Sequence, residues 1–134
     1  MSNPTTLFPG YAFILNLTGS GAQMKPLGGF SDCAGLPVKV RGLNNVGDVT
    51  LKRGVVDSSG LSEWLSAARN NAATAGREAI ITQRNGGAVP VQSWKLSSAL
   101  PIKYSGPTLG DKGNDVSVEE LILSSAGIEI IPPG

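Results

Sequence analysis

The 134-residue chain contains no histidine and one cysteine, only 5% of it is aromatic, and its charged residues amount to 16%. Each scarcity excludes something. Without imidazole, the usual general acid–base, nucleophile-activating and zinc- or iron-binding chemistry near neutral pH has no agent. A single thiol, Cys33, permits no internal disulfide, and the expectation is a chain made in a reducing compartment. The formal net charge of +1, with 11 basic against 10 acidic residues and no basic block, is not that of a polyanion binder. No apolar run approaches the roughly 18 residues of a spanning helix, so membrane insertion is not expected. The start Met1-Ser2-Asn3-Pro4 has no basic and apolar leader pattern.

What the chain has in surplus is backbone punctuation. Eighteen glycines and nine prolines make up about a fifth of it, against roughly 12% in average proteins. They follow no three-residue period, which excludes collagen, and 40% hydrophobic residues provide a core that a disordered chain lacks. A single domain over residues 1–134 is expected, with a flexible start at 1–9 and a tail at 132–134.

Residues 11–17 are aromatic and aliphatic and are ended by Gly19-Ser20-Gly21, which reads as a strand. In residues 23–31, Pro26 and Gly28-Gly29 are expected to interrupt a regular strand. Val38-Lys39-Val40-Arg41 and Val49-Thr50-Leu51 alternate as strands with one solvated face, and Gly54 allows a bulge or close approach. One segment reads as a helix: Leu61, Leu65 and Ala68 fall at i, i+4 and i+7 and Trp64 widens the stripe. Ser59 or Gly60 would cap it, Glu63 would face the dipole in its first turn, and it would end near Asn70-Asn71. Asn85-Gly86-Gly87 marks a hairpin between residues 77–84 and a long arm over 91–104, where Pro101 demands an edge position or a bend. Residues 106–114 form a loop, 116–124 a strand, and 128–131 a last strand. The fold class is mainly β, an antiparallel barrel or sandwich of six to eight strands with one flanking helix.

Candidate chemical motifs all reduce to ordinary structure. Gly19-Ser20-Gly21 lacks the third glycine and the helix of a dinucleotide site, and Gly110-Asp111-Lys112-Gly113 lacks the spacing and hydroxyl of a phosphate loop. Asp111, Asn114 and Asp115 lack the ligand ladder of a calcium loop. Asn16-Leu17-Thr18 fits a glycosylation sequon that has meaning only on secretion. Cys33 has no neighbouring base and reads as a buried thiol, and Glu119-Glu120 would point to opposite faces of a strand. No catalytic, cofactor or metal residue is assigned. Residues 116–124 pose a packing question instead, since Val116, Val118 and Ile122 hold one parity and Leu121 and Leu123 the other. Both faces of that strand should be covered, by a second sheet and the helix or by another subunit.

Three segments together carry a resemblance. Asp48-Val49-Thr50-Leu51-Lys52-Arg53-Gly54-Val55, the helix bearing Trp64, and the run from Val91-Gln92-Ser93-Trp94-Lys95-Leu96 to Lys103-Tyr104-Ser105-Gly106-Pro107 resemble the contractile-phage tail-tube family. That family includes the inner tubes of phage-like contractile injection systems. Residues 114–123 with Gly127-Ile128 fit its closing pattern. The resemblance implies a β-barrel subunit, made in the bacterial cytoplasm, that forms hexameric rings stacked into a hollow tube in a phage tail or injection particle. Its implied partners are further copies of itself, the sheath, the baseplate, and tape-measure or cargo proteins, with DNA or a protein effector passing through the lumen. It implies no enzyme activity and no cofactor.

On this resemblance, Leu61, Trp64, Leu65 and Ala68 belong to an outer helix, and Val116, Val118, Leu121 and Leu123 to an inter-subunit strand. Relatives carry a longer extension between the counterparts of Gly35-Leu36 and Asp48, where this chain has only residues 37–47. The shortened segment is expected to touch the adjacent ring through Leu36, Pro37, Val38, Val40, Asn44 and Asn45. The alternative without the resemblance is an isolated ligand-binding β-barrel, which needs apolar residues around a closed pocket.

Overall fold

A computed structural model of the chain describes residues 11–18, 24–35, 47–71, 76–85, 89–107 and 115–131. Seven strands and one helix follow in the order β1 (Phe13–Thr18), β2 (Met24–Ala34), β3 (Gly47–Asp57), α1 (Ser58–Asn70), β4 (Arg77–Asn85), β5 (Val89–Ser105), β6 (Asp115–Ser125) and β7 (Gly127–Ile131). The sheet runs β4-β1-β2-β3-β6-β5-β7, and a further β4–β5 pairing closes six of the strands into an antiparallel barrel. Closure removes the edges of those six strands. The mainly β barrel with one helix expected from the residues is what the chain forms.

Expected strand positions hold at β1, β3, β4, β5, β6 and β7, while the segment at 38–41 lies outside the described residues. One expectation fails in β2, which continues through Pro26 and Gly28-Gly29. The β1–β2 register steps from Leu15↔Gly28 to Asn16↔Pro26, so Leu27 is an extra residue on β2. A bulge there accommodates the proline without ending the pairing. Gly28 lies against β3, where a Cβ would come within 2.5 Å of the Val55 carbonyl and 2.7 Å of Val56 Cγ1. The glycine permits the approach of two strands.

Two non-glycine residues have left-handed backbone, Arg53 at φ 53° and Ser98 at φ 50°. Each lies where a strand changes the face it turns inward. On β3, Val49 and Leu51 are buried, Lys52 and Arg53 are exposed, and Gly54 and Val56 are buried again on the other parity. On β5, Trp94 and Leu96 precede the exposed Ser97 and Ser98, after which Ala99 and Pro101 turn inward. β6, paired to β3, makes the same change between Val118 and Leu121. The two parities of residues 116–124 thus enter one interior in succession. This corrects the expectation that both faces of the strand are covered: the strand rolls over, and its outward Glu119 stays exposed.

The interior is filled by Leu15, Phe30, Val49, Leu51, Val56, Ile81, Leu96, Leu121 and Leu123, with Leu61 and Trp64 of α1 fully buried among them. Helix α1 begins one residue before the expected cap, after Asp57, whose side chain makes no cap hydrogen bond. Glu63 consequently falls beyond the first turn and forms an ion pair with Arg77 at 3.6 Å. The helix ends as expected, with the Asn71 amide donating to the Ala67 carbonyl at 2.9 Å. Pro101 bends β5, whose register to β6 shifts between Pro101 and Lys103.

Leu121→Ala should destabilise the subunit by about 2–5 kcal/mol through lost burial and a cavity, read by urea unfolding, and Leu121→Asp should prevent folding. Gly54→Ala, which drives a methyl into the Gly29 carbonyl and the Phe30 ring, should cost on the order of 1–3 kcal/mol.

Candidate functional site

The charged side chains pair across the barrel wall. Arg53 Nε donates to Asp32 Oδ2 at 2.8 Å, Lys103 Nζ lies 2.9 Å from Glu120 Oε1, and Lys95 Nζ lies 3.2 Å from Glu78 Oε2. Asp32 is in register with Lys52 and Lys52 with Glu120, so signs alternate across β2, β3, β6 and β5. The hydrogen bond from Lys103, aided by the charges of Lys103 and Lys52, holds the Glu120 carboxyl below its ordinary range against a smaller opposing effect of burial. Such exposed pairs contribute little to stability, and they set opposite signs side by side on this part of the wall. Among the described residues no group of three or more His, Cys, Asp or Glu could hold a metal.

Cys33 is half-buried beside Asp32, facing a surface hollow that Thr50 and Lys52 also line. Burial pushes its thiol up to about 12, so thiolate chemistry at neutral pH is suppressed. The barrel interior, the place a ligand would occupy in an isolated binding barrel, is filled by the side chains of the core. What the molecule presents is surface.

A groove of mixed polarity, which Lys103 also lines, lies beside the helix. Leu65, Ala68 and Arg69 of α1 and Pro101, Ile102 and Tyr104 of β5 line this open groove of about 400 Å³, and Ile102 is 53% exposed. The Tyr104 hydroxyl donates to the Pro107 carbonyl at 2.5 Å, fixing the chain that leaves β5. At another part of the barrel, Arg84 is buried; its guanidinium donates to the Tyr11 carbonyl at 2.8 Å while its amide donates to the Ala12 carbonyl at 2.7 Å. Burial lowers its pKa. This clamp sets where the chain enters β1, and an arginine in a strand pattern gives no sign of it.

The expected assembly residues divide into three groups. Leu36, Pro37, Val38, Val40, Asn44 and Asn45 lie outside the described residues. Val118, Leu121 and Leu123 are buried in the chain's own core with Val116 packed against it, so Ser117 and Glu119 are the exposed residues of β6 and Glu120, Ile122 and Ser124 are half-buried. Of the helix residues, Leu61 and Trp64 face the core, and Leu65 and Ala68 line the groove. The exposure of Ile102 and the terminal place of β7 in the sheet gave no sign in the sequence, because exposure and pairing are set by strands distant in sequence.

Residues 30–129 match the family model of the T4-like virus tail tube protein gp19. The chain belongs to that family. No curated protein matches it significantly. Among solved structures, the tail tube protein is similar to a chain of the cryo-EM structure of the anti-feeding prophage (AFP) baseplate, 6-fold symmetrised. The TM-score is 0.62 and the identity 23%, over 98% of each chain. It is also similar to a chain of the sheath–tube complex of PVC, an extracellular contractile injection system, in the extended state. There the TM-score is 0.55 and the identity 19%, over 93% of this chain and 91% of that one. A chain of the AFP tube-terminating cap gives 0.55 and 20%, over 98% and 93%. The mainly β tail-tube reading drawn from the Leu-Lys-Arg-Gly and Trp-Lys-Leu runs therefore holds, and the tail tube protein is a structural protein by family.

Cys33 should react with a disulfide reagent at pH 8 on the order of a hundred-fold more slowly than an unhindered thiol. Urea should restore the ordinary rate, as followed by absorbance of the released chromophore.

Proposed function

We propose that this tail tube protein forms hexameric rings that stack into the rigid inner tube of a contractile phage tail or phage-like injection particle. Sheath contraction would then drive the tube through a target envelope, and its lumen would carry DNA or a protein effector. The observation that carries the reading is the family match over residues 30–129. The similarity of nearly the whole chain to a chain of a 6-fold symmetrised baseplate supports it. A barrel whose described interior is filled by its own core side chains, with charges paired on its wall, suits a mechanical part.

Synthesis in the bacterial cytoplasm precedes assembly. Sheath and baseplate are the partners that similar structures suggest, with tape-measure or cargo proteins inside. The outward residues of β6 supply the contact within a ring, α1 faces away from the lumen, and residues 36–45 reach the adjacent ring. Purified protein viewed by negative-stain electron microscopy should show rings or tubes with a central hole. Particles that remain at the 13.8 kDa of one chain at every concentration, as measured by light scattering, would overturn the reading.

A further inference from the structure

Among the described residues, two that are not glycine have positive φ, Arg53 at 53° and Ser98 at 50°. That region is narrow and unfavourable for a residue with a side chain, whereas glycine enters it freely. Residue 53 is also where β3 leaves both of its ladders. β2 pairs Phe30 with Gly54 and Asp32 with Lys52, β6 pairs Val118 with Gly54 and Glu120 with Lys52, and neither ladder includes Arg53. All three strands change the face they turn inward at this level. β2 passes from buried Phe30 to Cys33, which packs against the core, β3 from Leu51 to Val56, and β6 from Val118 to Leu121. The backbone around this corner is rich in glycine, with Gly28 and Gly29 on β2 and Gly54 on β3. A Cβ on Gly54 would enter the Gly29 carbonyl and the Phe30 ring. A side chain therefore stands at the one position of the corner whose dihedral favours glycine.

Ser98 repeats the arrangement on β5. Ser97 pairs with Gly127 and Leu100 with Ser124, while the β4 register shifts between Arg77↔Ala99 and Ala79↔Leu96. Gly76 comes close to it, since a Cβ there would lie 3.1 Å from Ser98 Cα.

We propose that Arg53 and Ser98 are stiffeners of the barrel's two corners, each holding its strand at one angle where glycine would let the strand swivel. In the extended conformation, the broadest open to an L residue, either one would send the rest of its strand to the opposite face. The burial of Val56 after Arg53 and of Ala99 after Ser98 closes that option. What remains in reach is the narrow left-handed well. Glycine in the same place reaches the mirror-image extended region as well, and so has a wider range. The hydrogen bond from Arg53 Nε to Asp32 Oδ2, at 2.8 Å, joins two exposed side chains and is too weak to fix the corner by itself. The corners stand on the fold alone; only their use, to hold the shape of a tube wall, rests on the proposed function.

The test compares Arg53→Gly with Arg53→Asn in the full chain, by amide hydrogen exchange at residues 52–55 and by urea unfolding. Both variants lose the ion pair, but asparagine tolerates left-handed backbone while keeping a side chain, so the contrast isolates the backbone. Arg53→Gly should keep or raise the wild-type urea midpoint and yet exchange about tenfold faster at 52–55, while Arg53→Asn stays within about threefold of wild type. Ser98→Gly against Ser98→Asn should give the same contrast at residues 97–100. Equal exchange in the glycine and asparagine variants overturns the proposal for that corner, and so does a glycine variant that unfolds at lower urea or does not fold. Single subunits suffice for the measurement, so its failure leaves the assembly reading standing.

Discussion

When β4 pairs with β5, the sheet becomes a barrel whose one interior must take apolar side chains from every strand around it. Strands as long as β3 and β5 cannot follow that curve while keeping strict alternation, and the left-handed backbone at Arg53 and Ser98 marks where they turn over. Beside Arg53, Gly54 admits the Phe30 ring and the Gly29 carbonyl at a distance that no side chain permits. The unusual residues of the fold are therefore consequences of closure. So is the filled core, since a closed barrel of six strands leaves room for side chains and little else.

Closure also decides what remains for assembly. Six strands have spent their edges on one another, and Val118, Leu121 and Leu123 have gone into the subunit's own interior. Among the described residues, what is left at the surface is the outward side chains, the groove between α1 and β5, and the edge of β7. A tube suits such a part, because its wall has to be stiff and its charges mutually satisfied. From Asp32 to Lys103 the signs alternate, so neighbouring cations and anions on that part of the wall satisfy one another.

Much of the fold was legible in the residues. The helix showed itself by the spacing of Leu61, Trp64, Leu65 and Ala68, the hairpin by Asn85-Gly86-Gly87, and the bend in β5 by Pro101. Local patterns report local structure well. The errors came where a distant strand overrides a local rule: Pro26 and Gly28 sit inside β2 because a bulge at Leu27 and the approach of β3 accommodate them. Likewise, the double parity of residues 116–124 looked like a strand covered on both faces, and it is one strand rolling over with its neighbour β3.

The sequence by itself determined the class of the protein. The absence of histidine, the lone cysteine, the near-zero net charge and the alternating strands settle that it is built of β-strands and offers no imidazole chemistry, because composition fixes which side-chain chemistry is available. The Leu-Lys-Arg-Gly and Trp-Lys-Leu runs carried the family. Only the tertiary structure decided which apolar residues are core and which are surface. It buried Leu121 and exposed Ile102, and it left β7 paired on a single edge among the described residues, because burial and pairing depend on strands that meet from opposite ends of the chain.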